Sequence, residues 1–243
     1  MTRLVVSAFS VVWMALNGAM VVRSFSSMTD FKLILLDRDG VVNVDVGSPG
    51  VVSPSQLRLT PGAAAAVGTL QRAGCRVVLV TNQSCVGKGI ITKKELDGIH
   101  ECLQRMLLEQ DPEARLDQIY CCTSTTNVDD DRRKPGPGMI LEACRDFHAD
   151  PGSDCVMVGD TINDLLAAQT AGVQTRVLVS TGYGQSIMGF RPEPNQLLLL
   201  KDTNDNNLSV PSPILPFYYV ENLASAVMHN NNNNNNNNGG TED

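Results

Sequence analysis

Between residues 30 and 181 the chain alternates short apolar runs, rich in Val, Ile and Leu, with longer stretches whose apolar positions recur at helical spacing. The short runs predict strands over residues 32–36, 76–80, 118–122, 155–158 and 175–179. The longer ones predict helices over 62–73, 93–108, 139–147 and 163–171, the first introduced by Thr60-Pro61 as a cap and a first-turn proline. Regular alternation of this kind belongs to the α/β class, with a central parallel sheet and right-handed crossovers. The segments from Asp39 to Thr81 and from Thr81 to Lys134 are each filled by a loop, a helix and a strand, which leaves no room for a large cap domain.

Ligands of such sheets bind beyond the carboxyl ends of the strands, and four of those ends carry polar clusters. The first is Asp37-Arg38-Asp39-Gly40, where two carboxylates two positions apart can share one side of the chain. Such close like charges become tolerable with a divalent cation between them or a proton on one. The second, Thr81-Asn82-Gln83-Ser84, offers hydroxyl, amide and backbone N–H groups suited to phosphate oxygens. In the third, Arg132-Arg133-Lys134-Pro135-Gly136-Pro137, two prolines restrict the backbone that presents a cation. The fourth, Gly159-Asp160-Thr161-Ile162-Asn163-Asp164, sets one acid at a helix entrance and another one turn along. Each cluster alone is ordinary turn or capping chemistry, but acids, Thr, Lys and acids at successive strand ends together predict a metal and phosphate site.

Composition narrows the partners. With 19 basic against 26 acidic residues and no basic run longer than Arg132 to Lys134, the surface is not built to hold a nucleic-acid backbone. The 7 cysteines are odd in number and scattered through apolar segments, which fits buried thiols rather than a disulfide framework. Residues 4–22 are almost wholly apolar and flanked by Arg3 and Arg23, which predicts a targeting segment over 1–27 directing the chain to an organelle or a secretory route. A membrane anchor is the rival reading of that stretch, and translation from Met28 would leave a cytoplasmic protein. A folded domain is expected over 28–228 and a disordered tail, with its Asn run, over 229–243. After targeting no stable membrane partner is expected, and the sequence carries no signal of oligomeric state.

The strings LLDRDGVVN, VLVTNQS, RRKPGPG and VMVGDTINDLLAA resemble, in order, the four signature motifs of the haloacid dehalogenase superfamily, across roughly Lys32 to Thr181. The resemblance implies a Rossmann-like three-layer sandwich and an Mg2+-dependent phosphomonoester hydrolase. It implies that Asp37 is the nucleophile, Asp39 the general acid and base, Thr81 a phosphoryl-binding group and Lys134 its charge neutraliser. Asp160 would complete a magnesium site with an Asp37 carboxylate oxygen and the Asp39 carbonyl.

Within the superfamily, DRDGVVN, TNQS and RKPGPGM are most similar to the D-glycero-D-manno-heptose 1,7-bisphosphate 7-phosphatase and histidinol-phosphate phosphatase group. That implies a small phosphorylated metabolite as substrate: heptose bisphosphate losing its 7-phosphate, or alternatively histidinol phosphate. Asp45, Asn82, Gln83, Ser84 and Arg133 match substrate-contacting stretches, although Val46 and Ser48 depart from the group's pattern. Many relatives also carry a zinc loop, Cys-x-His followed by Cys-x-Cys. Here those places read Cys122-Thr123-Ser124 and Asp130-Asp131-Arg132, so no zinc is expected. A phosphorylation-switched receiver module also joins Asp, Thr and Lys on a parallel sheet, but it lacks the second acid that Asp39 supplies.

Overall fold

The computed structural model describes residues 27–201 and 214–229, so the expected targeting stretch and the Asn run lie outside the described residues. Seven strands, Leu33–Leu36 (β1), Arg76–Asn82 (β2), Gln118–Cys122 (β3), Cys155–Gly159 (β4), Thr175–Val179 (β5), Leu198–Leu200 (β6) and Phe217–Val220 (β7), form a sheet in the order β3-β2-β1-β4-β5-β7-β6. Neighbours pair in parallel except β6 with β7. The helices are Ala63–Arg72 (α1), Ser84–Gly87 (α2), Lys93–Gln110 (α3), Gly138–Asp146 (α4), Pro151–Asp154 (α5), Ile162–Thr170 (α6), Gly184–Met188 (α7) and Leu223–Met228 (α8).

The period of two along β1 divides the core into layers. Leu33 and Leu35 pack with α4 and α6 residues such as Met139, Ile140, Ala167 and Ala168. Ile34 and Leu36 face the other way, into a cluster with Val67 of α1, Leu103 of α3 and Ala226 of α8. Both faces of β1 are therefore buried, which is why its sequence is an unbroken apolar run. The result is a Rossmann-like three-layer α/β sandwich, with no large cap domain among the described residues. No described helix is long and apolar enough to cross a membrane.

Register aligns the strand ends. Leu36 lies beside Leu79 of β2 and Val158 of β4, so Asp37, Thr81 and Asp160 emerge at one level of the sheet. On α3, Thr92 and Glu95 form a reciprocal cap, with Thr92 N–H donating to Glu95 Oε2 at 2.7 Å and Glu95 N–H to Thr92 Oγ1 at 3.2 Å.

Two local expectations are corrected. The α1 helix starts at Ala63 behind Gly62, and Thr60 is not its cap. The Thr60 hydroxyl instead donates to the Val41 carbonyl at 2.6 Å and the Val42 carbonyl at 3.2 Å, because the chain leaving β1 turns under α1 with buried acceptors. At α6, with Asp160 at its entrance, the cap is Thr161: Thr161 N–H and its hydroxyl both donate to Asp164 Oδ2, at 2.9 and 2.6 Å. Beyond residue 181, β6, β7, α7 and α8 extend the fold where no element was expected, since runs of three to six residues are too short to show a period.

Thr60→Val keeps shape but strands the buried Val41 carbonyl, while the Val42 carbonyl still accepts the Thr60 backbone N–H at 3.0 Å. Urea unfolding should show a loss of about 1–3 kcal/mol.

Candidate active site

The carboxyl ends of β1, β2 and β4 border a cleft of about 170 Å³, and Asp37, Asp39, Thr81, Lys134 and Asp160 all line it. A larger groove of about 770 Å³ runs between α3 and the edge strand β3, but it lies away from those strand ends and has none of these groups. Convergence of chemistry, not size, marks the site.

Lys134 is 4 % exposed. Its Nζ stands 2.7 Å from Asp37 Oδ1 and 2.5 Å from Asp164 Oδ1, and donates to the Val80 carbonyl at 2.7 Å. Burial works to remove the Lys134 proton, but the carboxylates of Asp164 and Asp37 outweigh it and hold the pKa above the ordinary lysine value. Burial pushes Asp37 up to about 6; the Lys134 charge opposes that and the Asp164 charge adds to it. Asp160 is pushed up to about 8, by burial first and then by Asp37 and Asp164. One ammonium thus faces three carboxylates.

Asp37, Asp160 and Asp164 each offer an oxygen, and those oxygens lie within 4.8 Å of one another. An all-oxygen acidic set with surplus negative charge fits a hard divalent cation. Asp164 is already committed to Lys134 and to the cap of α6, so Asp37 and Asp160 are the acids with capacity to spare.

Asp39 has a different environment. Arg38, fully buried, sends Nη2 to both Asp39 oxygens at 3.1 and 2.8 Å, and its Nη1 lies 3.2 Å from His100 Nε2. Asn43 Nδ2 donates to Asp39 Oδ1 and Gln83 Nε2 to Asp39 Oδ2, each at 2.9 Å. Burial pushes Asp39 up, but the Arg38 charge and these three donors outweigh it and hold the carboxyl below its usual range. His100 is held down to about 4 by burial and by Arg38, so its neutral Nε2 accepts from the guanidinium.

The residues expected against substrate divide. Asp45 lines the cleft. Asn82 also lines it, but its amide is tied to Lys134 twice, accepting from the backbone N–H at 3.0 Å and donating to the carbonyl at 2.9 Å. Gln83, 3 % exposed, spans Asp39 and the Thr81 hydroxyl, at 2.9 Å from each. Both amides therefore hold the machinery in place. Ser84 begins α2 and Arg133 donates to the Ser124 carbonyl at 2.8 Å; neither lines the cleft.

The loop before Arg132, where no zinc was expected, is gathered by Asp130. Its Oδ2 accepts from the Cys122 thiol at 3.4 Å and from the Ser124 hydroxyl, and its Oδ1 from Arg132 N–H at 2.9 Å. These hydrogen bonds close the loop that delivers Lys134.

Sequence reasoning gave no role to Arg38, Asn43 or the segment after β5. In that segment the Thr181 hydroxyl donates to the Gly40 carbonyl at 2.5 Å and Tyr183 N–H to Asp160 Oδ2 at 2.9 Å. The signal that could have found it is its place, since Thr181 lies two residues past the carboxyl end of a fifth strand.

The profile of the haloacid dehalogenase-like hydrolases matches residues 35–172. The chain is 38 % identical over 157 residues to the D-glycero-beta-D-manno-heptose-1,7-bisphosphate 7-phosphatase of Haemophilus ducreyi, covering 62 % of this chain and 84 % of that one. It is 37 % identical over 156 residues to the enzyme of that name from Escherichia coli, covering 61 % and 79 %. Among solved structures, it superposes on the D,D-heptose 1,7-bisphosphate phosphatase of B. bronchiseptica, complexed with magnesium and phosphate, with a TM-score of 0.68. That match has 30 % identity and covers 84 % of this chain and 99 % of the other. With the profile spanning all four polar strand ends, the chain belongs to the haloacid dehalogenase-like hydrolase family, as a phosphatase.

Proposed function

We propose that the chain removes the 7-phosphate of D-glycero-D-manno-heptose 1,7-bisphosphate through a phosphoryl intermediate on Asp37, with magnesium as the metal. The observation that carries the chemistry is the buried Lys134 ammonium lodged between Asp37 and Asp164 beside Asp160. What supports the substrate is the name shared by relatives 31–38 % identical to this chain.

Asp37 Oδ attacks phosphorus and the ester P–O bond breaks. Asp39 gives its proton to the leaving alkoxide, then takes one from the water that attacks the aspartyl-phosphate, which releases phosphate and restores Asp37. Lys134 and the Thr81 hydroxyl hold phosphoryl oxygens and so limit repulsion between the entering anion and the carboxylate. Asp37, Asp160 and the Asp39 carbonyl would hold Mg2+, which when bound draws negative charge from the phosphoryl oxygens. Asp39 rests ionised beside Arg38, as its second task requires. For the first task it gains a proton when a phosphate dianion arrives, because added negative charge raises the proton affinity of a neighbouring carboxylate.

Asp37→Asn should lower phosphate release by about 10³-fold or more while circular dichroism stays native. Chelation should abolish activity and Mg2+ restore it, and metal analysis of the purified protein should find no stoichiometric zinc, since Asp130 stands where thiolates would be needed.

Arg38→Met removes the charge that lowers Asp39, so the Asp39 pKa should rise. Hydrolysis of the intermediate needs Asp39 ionised, and the acidic limb of the kcat profile should therefore move to higher pH. An unmoved limb in a folded variant would separate Asp39 from proton transfer.

A further inference from the structure

The segment from Thr181 to Gly184 is fastened to both acid-bearing loops. Besides the hydrogen bonds to the Gly40 carbonyl and to Asp160, Gly182 takes φ +61°, and a Cβ on it would fall 2.0 Å from Asp160 Oδ2 and 2.9 Å from Gly40 Cα. No other residue fits so close an approach. Tyr183, held by this fixed backbone, lines the cleft, yet the residue is 50 % exposed, while Asp37, Lys134 and Asp160 are buried.

The cleft of about 170 Å³ has Asp37, Lys134 and Asp160 buried within it, where the phosphoryl group would sit, and no large cap lies above it among the described residues. The alcohol part of any substrate must rest on the rim. There the wall offers the Asp45 carboxylate, which can accept hydroxyl hydrogens, and the Tyr183 ring, which offers a rigid apolar face. A polyol has both matching surfaces, hydroxyls and a row of C–H groups, and the backbone that carries the ring is already held in place.

We propose that Tyr183 is a specificity-determining residue, whose ring packs against the C–H face of a polyhydroxylated leaving group and so favours sugar phosphates over small phosphoryl donors. This rests on the cleft receiving the scissile phosphate. It does not depend on which sugar is the substrate.

The test compares kcat and KM for heptose 1,7-bisphosphate, glucose 6-phosphate and acetyl phosphate, the last having neither ring nor polyol. Tyr183→Ala should raise KM for the sugar phosphates roughly tenfold with kcat within about twofold, and shift acetyl phosphate by less than about threefold. Tyr183→Phe, which keeps the ring, should stay near the parent for all three. Equal losses on every substrate would mean that Tyr183 acts only through Asp160, and an unchanged KM for both sugar phosphates would remove the ring from recognition; either overturns the proposal. Wild-type turnover of glucose 6-phosphate but not of heptose bisphosphate would sink the heptose assignment and leave the Tyr183 comparison decisive. Turnover of acetyl phosphate alone would sink both.

Discussion

An ammonium withdrawn from water costs several kcal/mol unless opposite charge and carbonyl dipoles surround it. Lys134 meets that condition through Asp37, Asp164 and the Val80 carbonyl, and much of the surrounding structure serves to bring these together. Asn82 fixes the Lys134 backbone from β2, Asp130 closes the loop behind it, and Asp164 caps α6 with one oxygen while meeting the ammonium with the other. Removal of any one partner would leave a buried charge without its complement, so the arrangement is cooperative.

Two carboxylates two residues apart are driven to opposite protonation behaviour by what lies around them. Asp37 sits among acids and is pushed up to about 6, mainly by burial, whereas Asp39 sits against Arg38 and two amides and is held down. Divergent pKa values in one site are what separate tasks require. Arg38 stands between the two acids, where its guanidinium grips Asp39 and is itself backed by His100 of α3. The acid chemistry thereby reaches into the packing of a helix that lies well behind the cleft.

Much of the frame was legible because long apolar runs report burial directly. β1, β3 and β5 lie within one residue of where alternation set them, and the four polar strand ends do meet at one cleft. What escaped has physical causes. A buried arginine between two acids reads as a solvated loop charge until its partner, His100, is brought beside it by tertiary packing. Asn82 and Gln83 carry the same groups whether they face a ligand or brace a neighbour, and only geometry distinguishes these uses. Thr60 before a proline has the form of a cap, but two buried carbonyls competed for its hydroxyl and won. The strands after residue 181 are three and four residues long, below the length at which a pattern can speak.

The sheet order has a consequence for how the chain is made. β1 lies between β2 and β4, so the strand that carries the nucleophile is flanked on one side by a neighbour synthesised early and on the other by one synthesised much later. A nascent chain that has emerged only through β2 holds Asp37 and Asp39 with neither the Lys134 ammonium nor Asp160 in place, and Leu33 to Leu36 has one edge open to water. During translation that open apolar edge is available for mispairing, and the arrival of β4 closes it and brings Asp160 to the acid set.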